Sequence, residues 1–541
     1  MGFFDTQKQK RDLKNAQRAN QIARLNAQTS MLESVTNSGY SHGGASKTDT
    51  WAKRWHSDSY SASKDIEENR KTLRERSRDL AMNTSIAAAA TNATRTSVVG
   101  PGLVPKPKID YEFLGILQEE AVELQAKIKK EWALWANTSM CDSADLNNFY
   151  ELQQICFRDW LINGEEFSLL KYAPESDFMP YQLRIKLIEA DRICTEGSNG
   201  TYWGPKKLPN GNIVINGVEI SEDGRVEAYY VCSSNPGEIA PGAIAKKWTR
   251  VAKRSPRTGN PNILHVFNAE RAEQYRGVPF LAPVLQSVKQ LTRYTDAEIM
   301  AAVINSMFTL FVTTEGGSDI AGFAGTDEEE AGDLRYSPNA YDDSNEQITL
   351  GSGTVNFLKE GEGIQAVEAT HPNGGYDAFA KAITAQIGAA LEISPEVLMK
   401  QFSSNYSASK GALNETWKAF NMRRSWFVRD FCQEIYNLWF AEAVAKGRIN
   451  APGFFQDPLI RNAYTAATWN GPVPGNLNPV QDVNAAITRI NNGLSTREDE
   501  AAGMNGSDYE DNIRTLGHEN ERLYEANKVF TQEAGNANDK A

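Results

Sequence analysis

The sequence predicts an α+β protein built from several packed units. At 541 residues the chain is longer than a single hydrophobic core usually supports. Short strand-like segments are concentrated between 166 and 267, and helical patterns occupy the chain on both sides of that block. Two predicted helices, at 281–308 and 411–446, are also unusually long. Strands and helices that are segregated in this way indicate an α+β class rather than an alternating α/β fold.

Composition argues against several kinds of site. The formal net charge of −12 argues against a protein that binds nucleic acid by neutralising phosphates, although it allows one along which DNA slides. The five cysteines form no CxxC pair and the five histidines no HxxxH pair, so we expect a reducing compartment and no metal or cofactor. The most apolar run, 299–312, is interrupted by Asn305 and Ser306. A membrane span needs about 20 apolar residues, so no membrane contact is expected.

The first 80 residues are basic, with 15 Lys and Arg against 10 Asp and Glu. Few large apolar residues follow Leu32, and 34–64 is rich in Ser, Gly, Thr and Lys. We predict a flexible basic arm over 1–65, in which 7–28 favours a helix. A solvated tail and an arm that docks on a partner both fit this composition.

Ordered structure is expected from about Ile66. Three helices are predicted before the strands: 66–99, ended by Gly100-Pro101-Gly102; 110–135, with an apolar stripe from Leu114 to Trp132; and 145–163, ended by Asn163-Gly164. The strands that follow are separated by turn pairs such as Asn210-Gly211 and Asp223-Gly224.

The middle of the chain combines a long helix with an acidic segment. The helix at 281–308 is amphipathic over about seven turns. Residues 315–346 then hold ten Asp and Glu against one Arg. Three short strands joined by glycine turns are predicted within 347–367, and a helix over 376–392.

Helix start signals dominate the last third. Ser394-Pro395 predicts a start with a capping hydroxyl and proline at the first helical position. Small polar residues at 403–409 interrupt the helical pattern before the helix at 411–446. The length of this helix indicates that it either kinks or packs along a large assembly. Three further starts are predicted, at Asn478-Pro479 and at two capping boxes, Ser495 with Glu498 and Ser507 with Glu510.

One motif resembles a catalytic site. Tyr406 and Lys410 have the YxxxK spacing of short-chain dehydrogenases, in which the lysine lowers the tyrosine pKa, and Ser394 lies twelve residues upstream of Tyr406. That chemistry needs a glycine-rich nicotinamide site, which the chain lacks at the required distance. The adjacent acids Glu165 and Glu166 are of a kind common on surfaces. The residues therefore indicate no catalytic constellation.

Taken in order, long blocks of the chain resemble the lambda-type family of phage portal proteins from about residue 70 to 525. The blocks include RSRDLAMNTSIAAAATNATRTSVVGPGL, CDSADLNNFYELQQICFRDWLINGEEFSLL, EISPEVLMKQFSSNYSASKGAL and NPVQDVNAAITRINNGLSTREDEAAGMNGSDYED. The family's usual NYSSxR appears here as Asn405 to Lys410, with Lys where Arg is common. Lysine keeps the positive charge but lacks the forked guanidinium group with which arginine binds a partner in a bidentate way.

The resemblance implies a portal fold with a mixed α/β wing, long stem helices, a small α/β clip, a kinked long helix and a helical crown. Its regions, in chain order, are the arm at 1–65, the wing at 66–280, the stem helix at 281–308, the clip at 309–370, the second stem helix at 371–393, the channel-loop region at 394–410, the long helix at 411–446, and the crown and C-terminal tail at 447–541.

The resemblance also implies a non-enzymatic function. It implies a twelve-subunit ring at one capsid vertex of the virion, assembled in the host cytoplasm, through which double-stranded DNA is packaged and ejected. The implied partners are the terminase large subunit, the scaffold and major capsid proteins and a head-completion adaptor. The channel loop would consist of Ser403, Ser404, Asn405, Tyr406, Ser407, Ala408, Ser409 and Lys410. The candidate docking site for adaptor or terminase is the acidic clip segment of Asp327, Glu328, Glu329, Glu330 and Asp333.

Two alternatives remain at this point: another ring-forming or scaffolding structural protein, and a short-chain dehydrogenase. Electron microscopy would separate the first by ring shape, and a nicotinamide-binding assay would separate the second.

Overall fold

The fold is seen in a computed structural model, which describes residues 11–26, 50, 54–55, 57–198, 204–238, 245–306, 309–312, 354–357, 375–402, 406–475 and 478–538. The chain divides into two units, Met1–Ser61 and Ala62–Ala541. In the first unit, 11–26 forms an exposed helix, α1, within the predicted 7–28. No helix among the described residues is long and apolar enough to cross a membrane.

Fourteen helices of the second unit are described. They are α2 (Ala62–Asn83), α3 (Ser85–Val98), α4 (Tyr111–Leu114), α5 (Gln118–Ala136), α6 (Phe149–Asn163), α7 (Leu285–Ser306), α8 (Tyr376–Ala390), α9 (Pro395–Met399), α10 (Tyr406–Phe427), α11 (Gln433–Ala445), α12 (Pro458–Thr465), α13 (Pro479–Asn491), α14 (Arg497–Asn505) and α15 (Tyr509–Asn538).

The described strands fall into four sheets, three of them antiparallel. They are β1 (Val104–Pro107), β2 (Glu165–Tyr172), β3 (Leu183–Ile188), β4 (Lys206–Lys207), β5 (Ile213–Ile215), β6 (Val218–Ile220), β7 (Val226–Cys232), β8 (Trp248–Ala252), β9 (Ile263–Phe267), β10 (Thr309–Val312), β11 (Thr354–Phe357) and β12 (Ala467–Asn470). The sheet orders are β3-β2-β9, β4-β5-β6-β7-β8, the pair β1-β12, and the parallel pair β10-β11. Helices and antiparallel strands are largely segregated, which confirms the predicted α+β class.

Two predicted helices are each divided in two. The helix predicted over 66–99 is α2 and α3, because Thr84 between them has an extended backbone and its hydroxyl donates to the carbonyl of Leu80. Such side-chain bonds compete with the helical pattern. The helix predicted over 110–135 is α4 and α5, because Gly115 adopts a left-handed conformation that ends α4. The predicted stop at Asn163-Gly164 is confirmed, with Gly164 at φ 86°.

The main core is aromatic and joins distant parts of the chain. The Trp132 ring on α5 lies 5.0 Å from Trp439 on α11, 5.1 Å from Phe149 on α6 and 6.2 Å from Trp469 on β12. Edge-to-face ring pairs at these distances add about 0.5–1.5 kcal/mol each beyond their burial. This cluster fixes α11 against α5 and α6, and so holds the C-terminal half of the chain on the N-terminal half.

The helices α7 and α8 leave this core together. On α7, Leu285, Val288 and Leu291 are buried, whereas Ile299, Met300 and Val303 are 43–60% exposed. The buried residues of α8 are Thr384, Ile387 and Gly388, all in its C-terminal half. Tyr294 of α7 packs on Tyr376 and Phe379 of α8, with ring centroids 5.7 and 5.2 Å apart. The C-terminal half of α7 and the N-terminal half of α8 therefore form a helix pair that extends beyond the core.

The helix predicted over 411–446 begins earlier and is interrupted. It starts at Tyr406, and Val428–Cys432 forms a π-helical turn between α10 and α11. Phe431 and Cys432 in this turn are buried, and the Phe431 ring stacks on Phe427 at 5.2 Å. The wider turn brings these side chains into the core and interrupts the long helix.

The last helices are capped one residue later than predicted in two cases. Asn478 caps α13 as predicted, accepting from the Gln481 amide. The cap of α14 is Thr496, which accepts from the Asp499 amide, so the predicted box of Ser495 with Glu498 is wrong. The cap of α15 is Asp508, which accepts from the Glu510 amide, so the box of Ser507 with Glu510 is also wrong. In each pair the neighbouring residue also carries a capping oxygen, and spacing alone does not separate the two.

Candidate functional site

The predicted channel loop is partly helical. Ser403, Ser404 and Asn405 lie outside the described residues, and Tyr406 to Lys410 form the first turn of α10. Ser407 and Ala408 are exposed, whereas Ser409 is buried. The structure thus brings the last five residues of the predicted loop onto a helix that is continuous with the core, five residues before the expected start at 411.

Lys410 is held by a partner that sequence reasoning missed. Its Nζ donates to Asp482 Oδ1 on α13 at 2.9 Å, and the two side chains are 40% and 24% exposed. The partners are 72 positions apart, and no local motif links them. This ion pair ties the start of α10 to the C-terminal helices.

Two residues of the dehydrogenase-like motif, Ser394 and Lys410, contact partners outside the motif. Ser394 precedes α9 with Pro395 at the first helical position, as predicted, but its hydroxyl makes no cap hydrogen bond. The Ser394 amide instead donates to Thr416 Oγ1 at 3.0 Å. The lysine of the motif, Lys410, pairs with a carboxylate. Among the described residues, the sheets are antiparallel except for the β10-β11 pair, so the parallel sheet of a nicotinamide-binding domain is not found there.

An acidic groove lies beside this segment. It measures about 590 Å³, runs between α8, α9 and α10, and has small side chains such as Ala389 and Ala412 in its walls. Its carboxylates are Glu392, Glu396 and Glu415. Two of the three form ion pairs: Glu392 with Arg423 and Glu415 with Lys418, both at 2.7 Å. Lys418 also lines the groove, so its walls hold three carboxylates against one lysine.

The predicted docking segment of Asp327, Glu328, Glu329, Glu330 and Asp333 lies outside the described residues, as do two of the three strands predicted within 347–367. The third coincides with β11, which pairs in parallel with β10. The role assigned to this acidic segment therefore stays a prediction.

The C-terminal helices are anchored by a second ionic cluster. Asp508, at the start of α15, accepts from Lys129 Nζ on α5 at 2.7 Å, and its other oxygen lies 3.2 Å from Lys106 Nζ on β1. Burial tends to raise the pKa of Asp508, but Lys129 and Lys106 hold that pKa below its ordinary value. Asp508 is therefore ionised at neutral pH and fixes the first turn of α15 to α5 and β1.

Glu165 lies at the centre of a buried ionic cluster, which corrects the prediction that Glu165 and Glu166 are surface acids. Its carboxylate accepts from Arg276 at 2.6–2.9 Å, from Arg74 at 2.5 Å and from the Gly277 amide at 2.9 Å, and it contacts His265 Nε2 at 3.0 Å. Burial would raise the pKa of Glu165, but the arginines and His265 hold that pKa well below its usual range. The cluster joins α2, β2, β9 and the chain just before α7.

The pKa of the neighbouring Glu166 is shifted in the opposite direction from that of Glu165. It is 1% exposed, and its Oε2 has no hydrogen-bond partner among the described residues. Burial and repulsion by Asp159 raise the pKa of Glu166 well above its usual value. Asp159 itself has its pKa raised to about 6 by burial. Burial therefore favours the protonated form of Glu166, whereas it leaves Glu165 ionised among its arginines.

Neither cluster forms a metal site. Within the part of the chain that the structure describes, no group of three or more His, Cys, Asp or Glu side chains could hold a metal ion. The ionic clusters around Asp508 and Glu165 instead hold elements of the fold together, and other helix faces remain exposed.

Comparisons with known proteins agree on one family. The family model described as phage portal protein, lambda family, matches residues 48–424. The chain is 26% identical over 483 residues to the portal protein of Escherichia phage N15, covering 87% of this chain and 88% of that protein. It is 23% identical over 491 residues to portal protein B of Escherichia phage lambda, covering 87% of each.

Solved structures give a weaker likeness. A chain in the virion of a native gene transfer agent particle is 11% identical with a TM-score of 0.36, covering 81% of this chain and 94% of that one. A chain in the neck of such a particle, computed with C12 symmetry, is 10% identical with a TM-score of 0.35 and the same coverage. TM-scores at this level are too low to establish a shared fold.

Proposed function

Because the chain belongs to the lambda family of phage portal proteins, we propose that twelve copies close into a ring at one capsid vertex and that double-stranded DNA passes through the ring during packaging and ejection. The ring is a structural part of the virion, assembled in the host cytoplasm, and it catalyses no reaction. It serves as the docking platform for the terminase large subunit, the scaffold and major capsid proteins and the head-completion adaptor.

The observation that carries the proposal is the exposed apolar surface of α7. Ile299, Met300 and Val303 lie beyond the core and are 57%, 60% and 43% exposed in the single chain. Phe379 on the adjacent α8 is 50% exposed. Exposed apolar patches of this kind mark interaction surfaces. In a ring, the same helix pair of the next copy would cover them.

The regions that the family resemblance implies contain the following elements. The wing, 66–280, holds α2–α6 and β1–β9, and the stem consists of α7 with 371–393 around α8. The clip, 309–370, holds β10 and β11 and the acidic segment 327–333, which we propose as the docking site for adaptor or terminase. The segment 394–410 faces the channel, 411–446 is the long interrupted helix, and 447–541 forms the crown.

The charge of the channel region supports sliding rather than binding. Each phosphate neutralised by a lysine or arginine adds affinity, and hence drag, for moving DNA. Lys410 is already paired with Asp482, and the adjacent groove carries carboxylates. A surface with this charge would hold the duplex away from the wall.

The test is the mass and shape of the purified protein. Twelve copies of the 59.9 kDa chain give a particle of about 0.7 MDa, measurable by light scattering and by negative-stain electron microscopy. Val303→Glu should impair assembly, because it places a charge in the proposed stem contact, whereas Val303→Leu keeps the side chain apolar and should assemble normally. The proposal fails if the unaltered protein is monomeric or dimeric under every assembly condition; a ring with a neighbouring copy number would not contradict it.

A further inference from the structure

The helix α13 carries a coiled-coil-like seam that its own chain leaves open. Apolar residues recur at spacings of three, four and three, at Val480, Val483, Ile487 and Ile490. Three of the four are 44–72% exposed, and Ile490 is partly buried. This is the a/d pattern of helices that pack side by side. On its other side α13 is held by Ala486, which is buried, and by Asp482.

The helix α15 carries a second seam with the same spacing. Ile513, Leu516, Asn520 and Leu523 follow one another at three, four and three residues. Ile513, Leu516 and Leu523 are 46%, 50% and 60% exposed, and Tyr524 beside them is 71% exposed. An asparagine at an a position, here Asn520, is a device that fixes the register of such contacts. Both seams lie beyond residue 424, where the match to the family model ends.

We propose that the α13 seam of one copy packs against the α15 seam of the next copy around the ring. This inference rests on the ring of the proposed function and adds the crown contact to it. A ring needs a heterologous interface, in which two different surfaces of the same chain complement each other. The two seams are different, share one spacing, and remain exposed in the same copy.

The size of the contact supports a second copy within a ring rather than a separate dimer. The seven exposed side chains of the two seams remove on the order of 400 Å² of apolar surface from water if each loses about 60 Å². Stable interfaces bury about 1,200–2,000 Å² in total. The seam contact alone is too small for a stable dimer. It forms when the stem contact already holds neighbouring copies together at high effective concentration.

Cysteine cross-linking of assembled particles tests the pairing. The five native cysteines are all buried, so introduced thiols react with little background. The double variants Ile487→Cys/Leu516→Cys and Val483→Cys/Leu523→Cys are treated with a bismaleimide and separated under denaturing conditions. Thr488→Cys/Leu516→Cys is the matched control, because Thr488 is exposed but lies off the seam.

At least one double variant should give a ladder that extends from dimer to the closed ring, and the control should give none. A mixture of copies carrying only Ile487→Cys with copies carrying only Leu516→Cys should give dimers and nothing larger. Three results would overturn the α13–α15 contact. They are a cross-link within one monomer, a cross-linked dimer formed by one single-cysteine variant alone, and the absence of any cross-link in particles that microscopy shows to be rings. Those results would leave the proposed ring intact, whereas an unaltered protein that forms no ring would overturn the proposed function itself.

Discussion

Lys410 and Asp482 form an ion pair with Nζ 2.9 Å from Oδ1, and this pair joins the first turn of α10 to α13. The lysine belongs to the segment that the sequence assigns to the channel, and the aspartate belongs to the proposed crown. Both side chains are partly exposed, so the pair is worth at most about 1 kcal/mol in one copy. In the proposed ring the pair would recur in every subunit and would couple the proposed channel segment to the proposed crown.

Reversing the lysine charge should reduce DNA packaging while rings still form. Lys410→Glu places two carboxylates together and separates α10 from α13, and we expect several-fold less DNA retained per particle. The double variant Lys410→Glu/Asp482→Lys restores the pair and should restore packaging. Arg225→Glu, in an exposed pair with Glu227 in the proposed wing, is the control and should have little effect. Ring formation is checked by microscopy and packaged DNA by nuclease protection. If the double variant packages as poorly as Lys410→Glu, the lysine acts on DNA directly.

Tyr406→Phe should leave both ring assembly and packaging close to normal. A tyrosine that acts as a general acid needs its hydroxyl, and the substitution would then abolish turnover. In a portal no bond is made or broken at this position, and the phenyl ring keeps most of the side-chain volume. The same two assays decide the matter, and loss of either activity in Tyr406→Phe would show that the hydroxyl has a function.

Removing residues 1–60 should leave ring formation intact. These residues belong to the first of the two units, and the cores of the protein are built from the second. We expect the truncated protein to give the same particle size by light scattering as the full chain. Truncated protein that remains monomeric would assign a structural role to the arm. A truncated ring that fails to enter capsids would place the arm at a partner contact.

Local signals were enough for the fold class and for many helix ends, because these depend on a few neighbouring residues. Gly164 ends α6 and Pro395 begins α9 as the sequence predicts. Contacts between distant residues could not be predicted in this way. The Glu165–Arg276 pair spans 111 positions, and an isolated pair of glutamates is more common on a surface than in a core.

Glu165→Gln should strongly destabilise the wing. The change removes the negative charge that balances Arg74 and Arg276, whose side chains are 1% and 0% exposed. Breaking one partner of a buried ionic cluster costs about 3–5 kcal/mol. We expect a lower unfolding temperature and weaker ring assembly, measured by thermal unfolding and light scattering. A Glu165→Gln protein as stable as the unaltered chain would show that the arginines find other partners.

Glu166→Gln should have the opposite effect and stabilise the protein at neutral pH. In the folded state burial and repulsion by Asp159 raise the pKa of Glu166 well above the ordinary value of 4.5. The unfolded state binds fewer protons above pH 4.5, so stability falls as pH rises from there to the folded pKa, by at most about 1.4 kcal/mol per pH unit for this one group. Glutamine is neutral at every pH and keeps nearly the same shape. The substitution therefore removes the contribution of Glu166 to the fall of stability with pH. Asp159, whose pKa is raised to about 6, continues to contribute a slope at lower pH.

The measurement for Glu166→Gln is thermal or urea unfolding between pH 5 and pH 8. The variant should unfold at a higher temperature than the unaltered protein at pH 8, and the difference should shrink toward pH 5. Glu165→Gln supplies the contrast: the pKa of Glu165 lies well below its usual value, so the contribution of this carboxylate itself is lost only when the pH falls through that low pKa. Any change that Glu165→Gln makes to the slope in this range would come from His265, whose pKa is lowered by burial and would fall further without Glu165. A Glu166→Gln protein that is less stable at pH 8, with an unchanged slope, would show that Glu166 is ionised in the folded protein.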